Sequence, residues 1–192
     1  MDLSPTDALI IVDIQNDYCE DGSMPVAGAL ELVKVLSNLS RRVKSRGGRV
    51  IATQDWHTDK HFSFSENGGQ WPQHCVQGTN GAQLHPELKL PVGSIVIRKG
   101  TNPKVEARSA FTESTLLETL RRFSAERVFV CGVPTEITVL ETALEANSLG
   151  FGTYVVEDGV AALATDNAEA AEAIEKMKSV GIEFVSGTEL AS

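Results

Sequence analysis

A carboxylate and an imidazole stand two residues apart at the end of an apolar, strand-like run. Asp55 and His57 follow the run at residues 49–53. Residues two apart on an extended chain point to the same side, so both groups are aimed at one point. The following loop adds His61 and His74. Two imidazoles and one carboxylate are typical of a catalytic metal site with positions left for water. The alternative is a polar loop with scattered histidines.

Two further charged residues follow apolar runs that we expect to be buried. Asp13 comes directly after residues 8–12, and Lys99 ends the run at residues 93–98. A buried carboxylate is costly unless it is paired or functional, so Asp13 is a candidate acid or base. The alternatives are a helix cap or turn for Asp13 and a plain ion pair with Lys99.

A third candidate is the segment GVPTEIT at residues 132–138, where an apolar run leads through a tight turn into a helical pattern. The first amides of a helix are unpaired and carry partial positive charge. Such a turn can therefore hold an oxyanion, and Pro134 allows a cis peptide bond after Val133 at modest cost. The alternative is an ordinary connection between a strand and a helix.

The elements that must position these residues alternate along the chain. Apolar runs predict strands at residues 8–12, 49–53, 93–98, 127–133, 151–156 and 182–185. Helical spacing predicts helices at residues 29–46, 114–123, 135–148 and 167–180. This alternation predicts a single α/β domain over residues 1–192, with a central, mainly parallel sheet flanked by helices on both faces.

Ligands of such sheets bind outside the carboxyl ends of the strands. Asp13, Asp55, Lys99 and the turn at residues 133–138 all follow strand ends, so we expect them at one rim. The stretch at residues 57–91 has no clear element, and a long loop inside a compact domain is often functional.

Composition narrows the classes of function. A net charge of -9 without a basic stripe argues against nucleic acid as a partner. No apolar run is long enough to span a membrane, and no signal peptide is visible, so we expect a cytoplasmic protein. The three cysteines, Cys19, Cys75 and Cys131, are widely spaced, which argues against a disulfide framework or a cysteine zinc site.

The order and spacing of these motifs resemble the nicotinamidase and pyrazinamidase branch of the isochorismatase-like cysteine hydrolases over nearly the whole chain. The matching stretches are VDIQNDYC at 12–19, TQDWH at 53–57, WPQHCV at 71–76, RKGT at 98–101, SAF at 109–111 and CGVPTE at 131–136. The resemblance implies the isochorismatase-like hydrolase fold and a dimer or tetramer.

The resemblance also implies roles for individual residues. Asp13 corresponds to the acid/base carboxylate, and Lys99 to the lysine that keeps it charged. The implied metal ligands are Asp55, His57 and His74, for zinc or another divalent ion such as Mn or Fe. His61 matches no ligand and is interpreted as a loop residue. The implied ring-binding pair is Tyr18, where the family often has Phe, and Trp71. The implied oxyanion hole lies at the turn of Pro134 and Thr138, with a cis bond after Val133.

The chain departs from the resemblance at Thr138, where the amidases of the family have their nucleophilic Cys. An alkyl hydroxyl is a far weaker acid than a thiol, whose pKa is near ~8.5, so Asp13 could not hold Thr138 as an alkoxide. Cys131 is expected in the core, and Cys19 and Cys75 in rim loops, so none replaces the thiol.

Three explanations of Thr138 remain open. In the first, water activated by the metal or by Asp13 replaces the covalent step. In the second, the scaffold only binds a small ligand. In the third, Thr138 is an engineered replacement in an ordinary nicotinamidase. We expect metal-dependent hydrolysis of a small heteroaromatic amide of the nicotinamide or pyrazinamide type, impaired or altered by Thr138. The alternatives are an inactive binding homologue and an isochorismatase-like hydrolase that uses water.

Overall fold

Six strands and four α-helices make up the part of the chain that the computed structural model describes, residues 1–163 and 168–191. The strands are β1 (Asp7–Val12), β2 (Arg49–Asp55), β3 (Ile95–Lys99), β4 (Arg127–Gly132), β5 (Gly152–Val160) and β6 (Glu183–Val185). The helices are α1 (Ala29–Ser45), α2 (Leu116–Arg122), α3 (Leu140–Ser148) and α4 (Ala168–Ser179). Among the described helices, none is long and apolar enough to cross a membrane.

The six strands form one sheet in the order β3-β2-β1-β4-β5-β6, and every neighbouring pair is parallel. The predicted α/β fold with helices on both faces is therefore confirmed. The chain builds outwards from β1 through β2 to β3, and then returns to place β4 on the other side of β1. This change of direction opens a crevice at the carboxyl ends of β1 and β4, where parallel sheets bind their ligands.

Strand β1 shows why the sheet needs cover on both faces. All six of its residues are buried, and from Ala8 to Val12 its side chains alternate between two apolar layers. Leu9 and Ile11 pack into the layer beneath α1, whereas Ile10 and Val12 pack into the layer beneath α2, α3 and α4. Because a strand inside such a sheet has no solvent face, its sequence is a continuous apolar run.

Several boundaries differ from the predicted ones. Strand β2 runs two residues further than predicted, to Asp55, and β3 is displaced so that it ends at Lys99. The cause is the ladder between the two strands, which pairs Asp55 with Lys99. Both site residues thus belong to the sheet. Helix α2 is shorter than the predicted 114–123, and the predicted start of the last helix at residue 167 lies outside the described residues.

The segment predicted as one helix over residues 135–148 has two parts. Thr135–Val139 is a π-helical turn, and α3 follows it. The amide of Val139 donates to the carbonyl of Pro134, five residues earlier, at 3.1 Å. Strand β5, predicted to end at residue 156, extends to Val160, which pairs with Gly132 after an irregularity in register.

The long loop after β2 is tied to the body of the protein. A β-bridge joins His57 to Val76, and a second joins Phe64 to Trp71. A short 3-10 turn at Ser65–Asn67 lies between the two halves of the loop. These contacts bring distant parts of the loop back to the end of β2.

Candidate active site

Asp13 lies at the carboxyl end of β1 and is fully buried. Its backbone has a φ of 53°, a left-handed conformation that turns the chain sharply after the strand. The hydroxyl of Thr53 on β2 donates to Asp13 Oδ1 at 2.6 Å. Burial raises the pKa of Asp13 to about 6, although the neighbouring Lys99 ammonium opposes the shift. A carboxyl group with such a pKa can exchange a proton near neutral pH.

Lys99 is the only cation in contact with two buried carboxylates within the described part of the chain. Its Nζ lies 2.9 Å from Asp13 Oδ2 and 2.6 Å from Asp55 Oδ1, and it also donates to the carbonyl of Ala107 at 3.1 Å. Burial disfavours the charged lysine, but the two carboxylates outweigh it and raise its pKa. Lys99 therefore stays protonated and links Asp13 to Asp55.

The carboxylate of Asp13 is incompletely satisfied. Oδ2 faces the ammonium of Lys99, but no group among the described residues makes a well-aligned hydrogen bond to it. Buried carboxylate oxygens normally accept one or more hydrogen bonds. Oδ2 of Asp13 can therefore accept a further hydrogen bond.

Asp55, His57 and His74 form a candidate metal centre. One ligand atom from each lies within 4.8 Å of the other two, and all three side chains are buried. The cluster joins the end of β2 to the distant part of the long loop. Burial raises the pKa of Asp55, but the charge of the neighbouring Lys99, together with smaller contributions from His57 and Tyr18, lowers it by more, so the net shift is downward and Asp55 is ionised.

The hydrogen bonds of the two imidazoles suit metal binding. His57 Nδ1 lies 2.9 Å from the carbonyl of Gly100, and His74 Nδ1 lies 2.8 Å from the carbonyl of Pro72. Each carbonyl fixes a tautomer with hydrogen on Nδ1 and leaves Nε2 to face the cluster, as in most histidine metal sites. Burial lowers the pKa of His57 to about 4, so its ring is neutral and able to ligate. The residues present therefore fit a divalent metal ion.

His61 supports this centre without joining it. Its Nδ1 is 2.7 Å from Ser63 Oγ, and its Nε2 is 3.1 Å from the carbonyl of Val105, so both nitrogens have partners. Its ring packs 4.2 Å from that of His57. His61 was predicted to be a loop residue outside the ligand set. It lies in the loop, buried and packed against the ring of His57.

Phe64 was missed by the sequence analysis. Its ring is fully buried and lies 5.3–5.7 Å, centre to centre, from the rings of His57, His61 and His74. It forms an apolar support behind the three imidazoles. The sequence does not distinguish Phe64 from Phe62, an aromatic residue two positions earlier in the same loop that is exposed.

A small cavity lies in front of the metal cluster. Its volume is about 50 Å³, which is room for a few waters or a thin, small ligand. Its lining includes the metal cluster together with Tyr18, Met24, His61, Ser63, Trp71, Glu106, Ala107, Arg108, Pro134, Ile137 and Thr138. Asp13 and Lys99 are not part of this lining and connect to it through Asp55.

The two residues expected to hold a ring, Tyr18 and Trp71, both reach the cavity. Tyr18 is only 3% exposed, and its hydroxyl donates to Asp55 Oδ2 at 2.6 Å. Burial, together with the charge of Asp55, raises the pKa of Tyr18 well above its usual value. Tyr18 is thus a neutral donor to a metal ligand as well as part of the cavity wall.

The turn after β4 brings Pro134 and Thr138 to the opposite side of the cavity. The bond between Val133 and Pro134 is cis, as the resemblance implies. Thr138 is buried, and its hydroxyl donates to the carbonyl of Val133 at 2.6 Å. Pro134 has no amide hydrogen, so it shapes the turn, and any backbone donor to an oxyanion must come from the residues after it.

Cysteine chemistry is absent from the cavity wall as far as the described residues show. Cys19, Cys75 and Cys131 are all free and buried, and none lines the cavity. Burial raises the pKa of all three thiols, that of Cys19 to about 11. Cys131 lies in the core beside β1, as expected. The hydroxyls that belong to residues of the lining are those of Tyr18, Ser63 and Thr138.

Comparison with known proteins agrees with this geometry. Residues 7–189 match the isochorismatase domain. The chain belongs to the isochorismatase family. It is 37% identical to a nicotinamidase/pyrazinamidase of Mycobacterium tuberculosis, with 93% of this chain and 97% of that protein covered.

Two solved structures of this family are also similar. The pyrazinamidase of Pyrococcus horikoshii in complex with zinc has a TM-score of 0.90 and 40% identity, covering 95% of this chain and 99% of that one. A protein of L. infantum, PnC1, in complex with nicotinate has a TM-score of 0.89 and 36% identity, covering 98% and 96%. The similarity to both structures thus extends over nearly the full length of each chain.

Proposed function

We propose that this isochorismatase-family protein hydrolyses a small, flat, nitrogen-containing aromatic amide of the nicotinamide or pyrazinamide type. The observation that carries the proposal is a metal-binding cluster on the wall of a narrow cavity, with the buried Asp13–Lys99 pair joined to that cluster through Asp55. The relatives named as nicotinamidases and pyrazinamidases, and the neighbour bound to nicotinate, support the choice of substrate.

In this proposal, different residues of the cavity bind different parts of the substrate. Tyr18 and Trp71 hold the ring, and Asp55, His57 and His74 hold a divalent metal, for which the zinc of the Pyrococcus neighbour supports zinc. The metal, when bound, offers a Lewis-acid position for a ring nitrogen and so orients the amide. We infer that the turn at residues 133–138 faces the carbonyl oxygen and that the amide of Thr138 stabilises the negative charge that develops there. Pro134 has no amide hydrogen, and the amides of Val133 and Thr135 already donate to the carbonyls of Val12 and Ala161.

Asp13 moves the protons. As the oxygen of a water molecule bonds to the amide carbon, Asp13 takes one proton from that water. When the carbon–nitrogen bond breaks, Asp13 returns the proton to the leaving nitrogen, which departs as ammonia and leaves the carboxylic acid. Lys99 keeps Asp13 ionised before the reaction by its contact at 2.9 Å.

Thr138 limits this reaction. Its hydroxyl already donates to the carbonyl of Val133, and its pKa is far above that of a thiol. We infer that water, not Thr138, attacks the amide, and that turnover is slow compared with a cysteine enzyme. The same observation favours a second candidate function, in which the protein binds a small heteroaromatic ligand without turning it over.

The test is ammonia release from nicotinamide and pyrazinamide with added zinc, manganese or iron, together with nicotinamide binding by calorimetry. The variant Thr138→Cys is compared with the parent protein and with Thr135→Cys, which places a thiol on the same turn but outside the cavity lining. We expect slow release by the parent protein and by Thr135→Cys, and at least about 100-fold faster release by Thr138→Cys, the size of effect expected of an activated nucleophile and its base.

The other outcomes select among the candidates. If the parent protein binds nicotinamide but releases no ammonia, and Thr138→Cys does release it, the parent protein is a binding protein with the scaffold of an amidase. Neither binding nor release with either substrate rules out the substrate class proposed above.

A further inference from the structure

Both oxygens of the metal ligand Asp55 accept a short hydrogen bond from a buried donor. The ammonium of Lys99 donates to Oδ1 at 2.6 Å, and the hydroxyl of Tyr18 donates to Oδ2 at 2.6 Å. Asp55 itself is 4% exposed. An ionised carboxylate has about four lone-pair directions, so two remain for a metal after these bonds are made.

We propose that Tyr18 is a positioning residue for the metal, and that its hydroxyl, through Asp55, sets the affinity and the ligand geometry of the site. The inference rests on the proposed metal-dependent function and deepens it. It assigns to Tyr18 a role separate from that of its ring, which lines the cavity.

The hydroxyl restrains Asp55 before the metal arrives. A carboxylate tied at both oxygens cannot rotate about its Cβ–Cγ bond, so its free lone pairs stay directed at the cluster that contains His57 and His74. Without the hydroxyl, the buried Oδ2 has no hydrogen-bond donor. The carboxylate of Asp55 is then held only by its hydrogen bond from Lys99 and can rotate. Partners of this outer kind typically change metal affinity by about 10–100-fold.

The ring and the hydroxyl of Tyr18 can be separated by experiment. The ring packs 5.7 Å, centre to centre, from that of His74, and a Phe side chain preserves this contact. Because the ring contact is preserved, removal of the hydroxyl alone should leave a metal site that is weaker but intact.

The experiment is a titration of the metal-free, full-length protein with Co²⁺, followed by its visible absorption, for the parent protein, Tyr18→Phe and Tyr154→Phe. Tyr154 is the other tyrosine of the chain, and its ring stacks on Phe129 in the core at 5.1 Å, away from the cluster. We expect Tyr18→Phe to weaken Co²⁺ binding by about 10-fold, as loss of a group that orients a metal ligand does. The absorption bands should also change, because they depend on the arrangement of the ligands around Co²⁺. Tyr154→Phe should match the parent protein in both.

The outcomes separate this inference from the function on which it rests. If the parent protein binds Co²⁺ and Tyr18→Phe binds it equally well with the same spectrum, the positioning role is wrong and the proposed function stands. If the parent protein binds no Co²⁺, both fail. A lower unfolding temperature of metal-free Tyr18→Phe, with unchanged Co²⁺ affinity and spectrum, would mean that the hydroxyl only stabilises the fold, and it also overturns the inference.

Discussion

A single ammonium group connects the two carboxylates of the site. Lys99 is fully buried between Asp13 and Asp55, and in the surrounding protein its charge is balanced by theirs. Removing one member of a buried ion group leaves charge without compensation, which is far more destabilising than the intact group is stabilising. Lys99 therefore contributes to folding as well as to the proton chemistry proposed for Asp13.

Replacing Lys99 by Met should lower the free energy of unfolding at pH 7 by about 3–5 kcal/mol. Burial already raises the pKa of Asp13 to about 6 against the opposing charge of Lys99, so without that charge it rises further. The folded variant then binds a proton that the unfolded chain, with an ordinary Asp pKa, does not. Its deficit relative to the parent protein should shrink as pH falls from 7 to 5.

Urea unfolding of both proteins at the two pH values measures this deficit. Lys89→Met is the matched control, because Lys89 is exposed and, among the described residues, its ammonium contacts the exposed Glu87 and the carbonyl of Pro86 but no buried charge. Its free energy of unfolding should differ little from that of the parent protein. A deficit of Lys99→Met that grows as the pH falls would contradict the assigned charges.

At the scale of the elements, the end of β3 shapes the metal cluster. The chain leaves Lys99 through Gly100, whose φ is +66° and whose carbonyl accepts the hydrogen bond that orients His57. A Cβ on Gly100 would lie 2.5 Å from His57 Cε1, closer than any normal contact. The absence of a side chain at this position is therefore a condition for the orientation of His57.

Gly100→Ala should displace the His57 ring and weaken its hydrogen bond to the carbonyl of residue 100. Divalent-metal binding should then weaken by at least about 10-fold, as it does when a group that orients a metal ligand is lost. Gly78→Ala is the control. Gly78 has a φ of +79°, so it carries the same backbone cost, but its Cβ would meet no atom within 4 Å. Metal affinity measured by competition with a chromophoric chelator should fall only in Gly100→Ala. Equal affinities of the two variants would show that His57 does not depend on this contact.

At the scale of the whole molecule, the metal cluster joins parts of the chain that are distant in sequence. Asp55 and His57 extend from the central sheet, whereas His74 belongs to the long loop that closes over the cavity. A metal bound to all three would hold this loop against the sheet. Any ion that binds the folded but not the unfolded chain stabilises the fold by mass action.

Adding zinc at 100 times its Kd should therefore raise the free energy of unfolding by about 2.7 kcal/mol, and chelation should reverse the gain. For a domain of this size the corresponding rise in Tm is about 5–10 °C. Differential scanning calorimetry of the parent protein and of His74→Ala, with and without zinc, measures it. The shift should vanish in His74→Ala, and an equal shift in both proteins would place the stabilising zinc at another site.

The sequence by itself determined the fold class and the rim on which the site lies. Continuous apolar runs such as residues 8–12 occur where strands are covered on both faces, and parallel strands direct their carboxyl ends to one edge. Asp13, Asp55 and Lys99 each stand at the end of such a run, so their shared edge followed from chain order alone. The spacing of Asp55 and His57 also indicated a metal site, because a two-residue step keeps both side chains on one side.

Only the tertiary structure decided how these groups are connected. The register of β2 against β3 places Lys99 beside Asp55, so one lysine contacts both carboxylates, and hydrophobic periodicity does not encode that register. Spacing left His61 and His74 equivalent, and only the resemblance to the family separated them. The folding of the loop places His74 beside Asp55 and His57 and gives both ring nitrogens of His61 other partners. The same packing gave the hydroxyl of Tyr18 a carboxylate partner and turned that of Thr138 towards a backbone carbonyl. Such partners are fixed by distances between segments far apart in the chain, which only the packed molecule brings together.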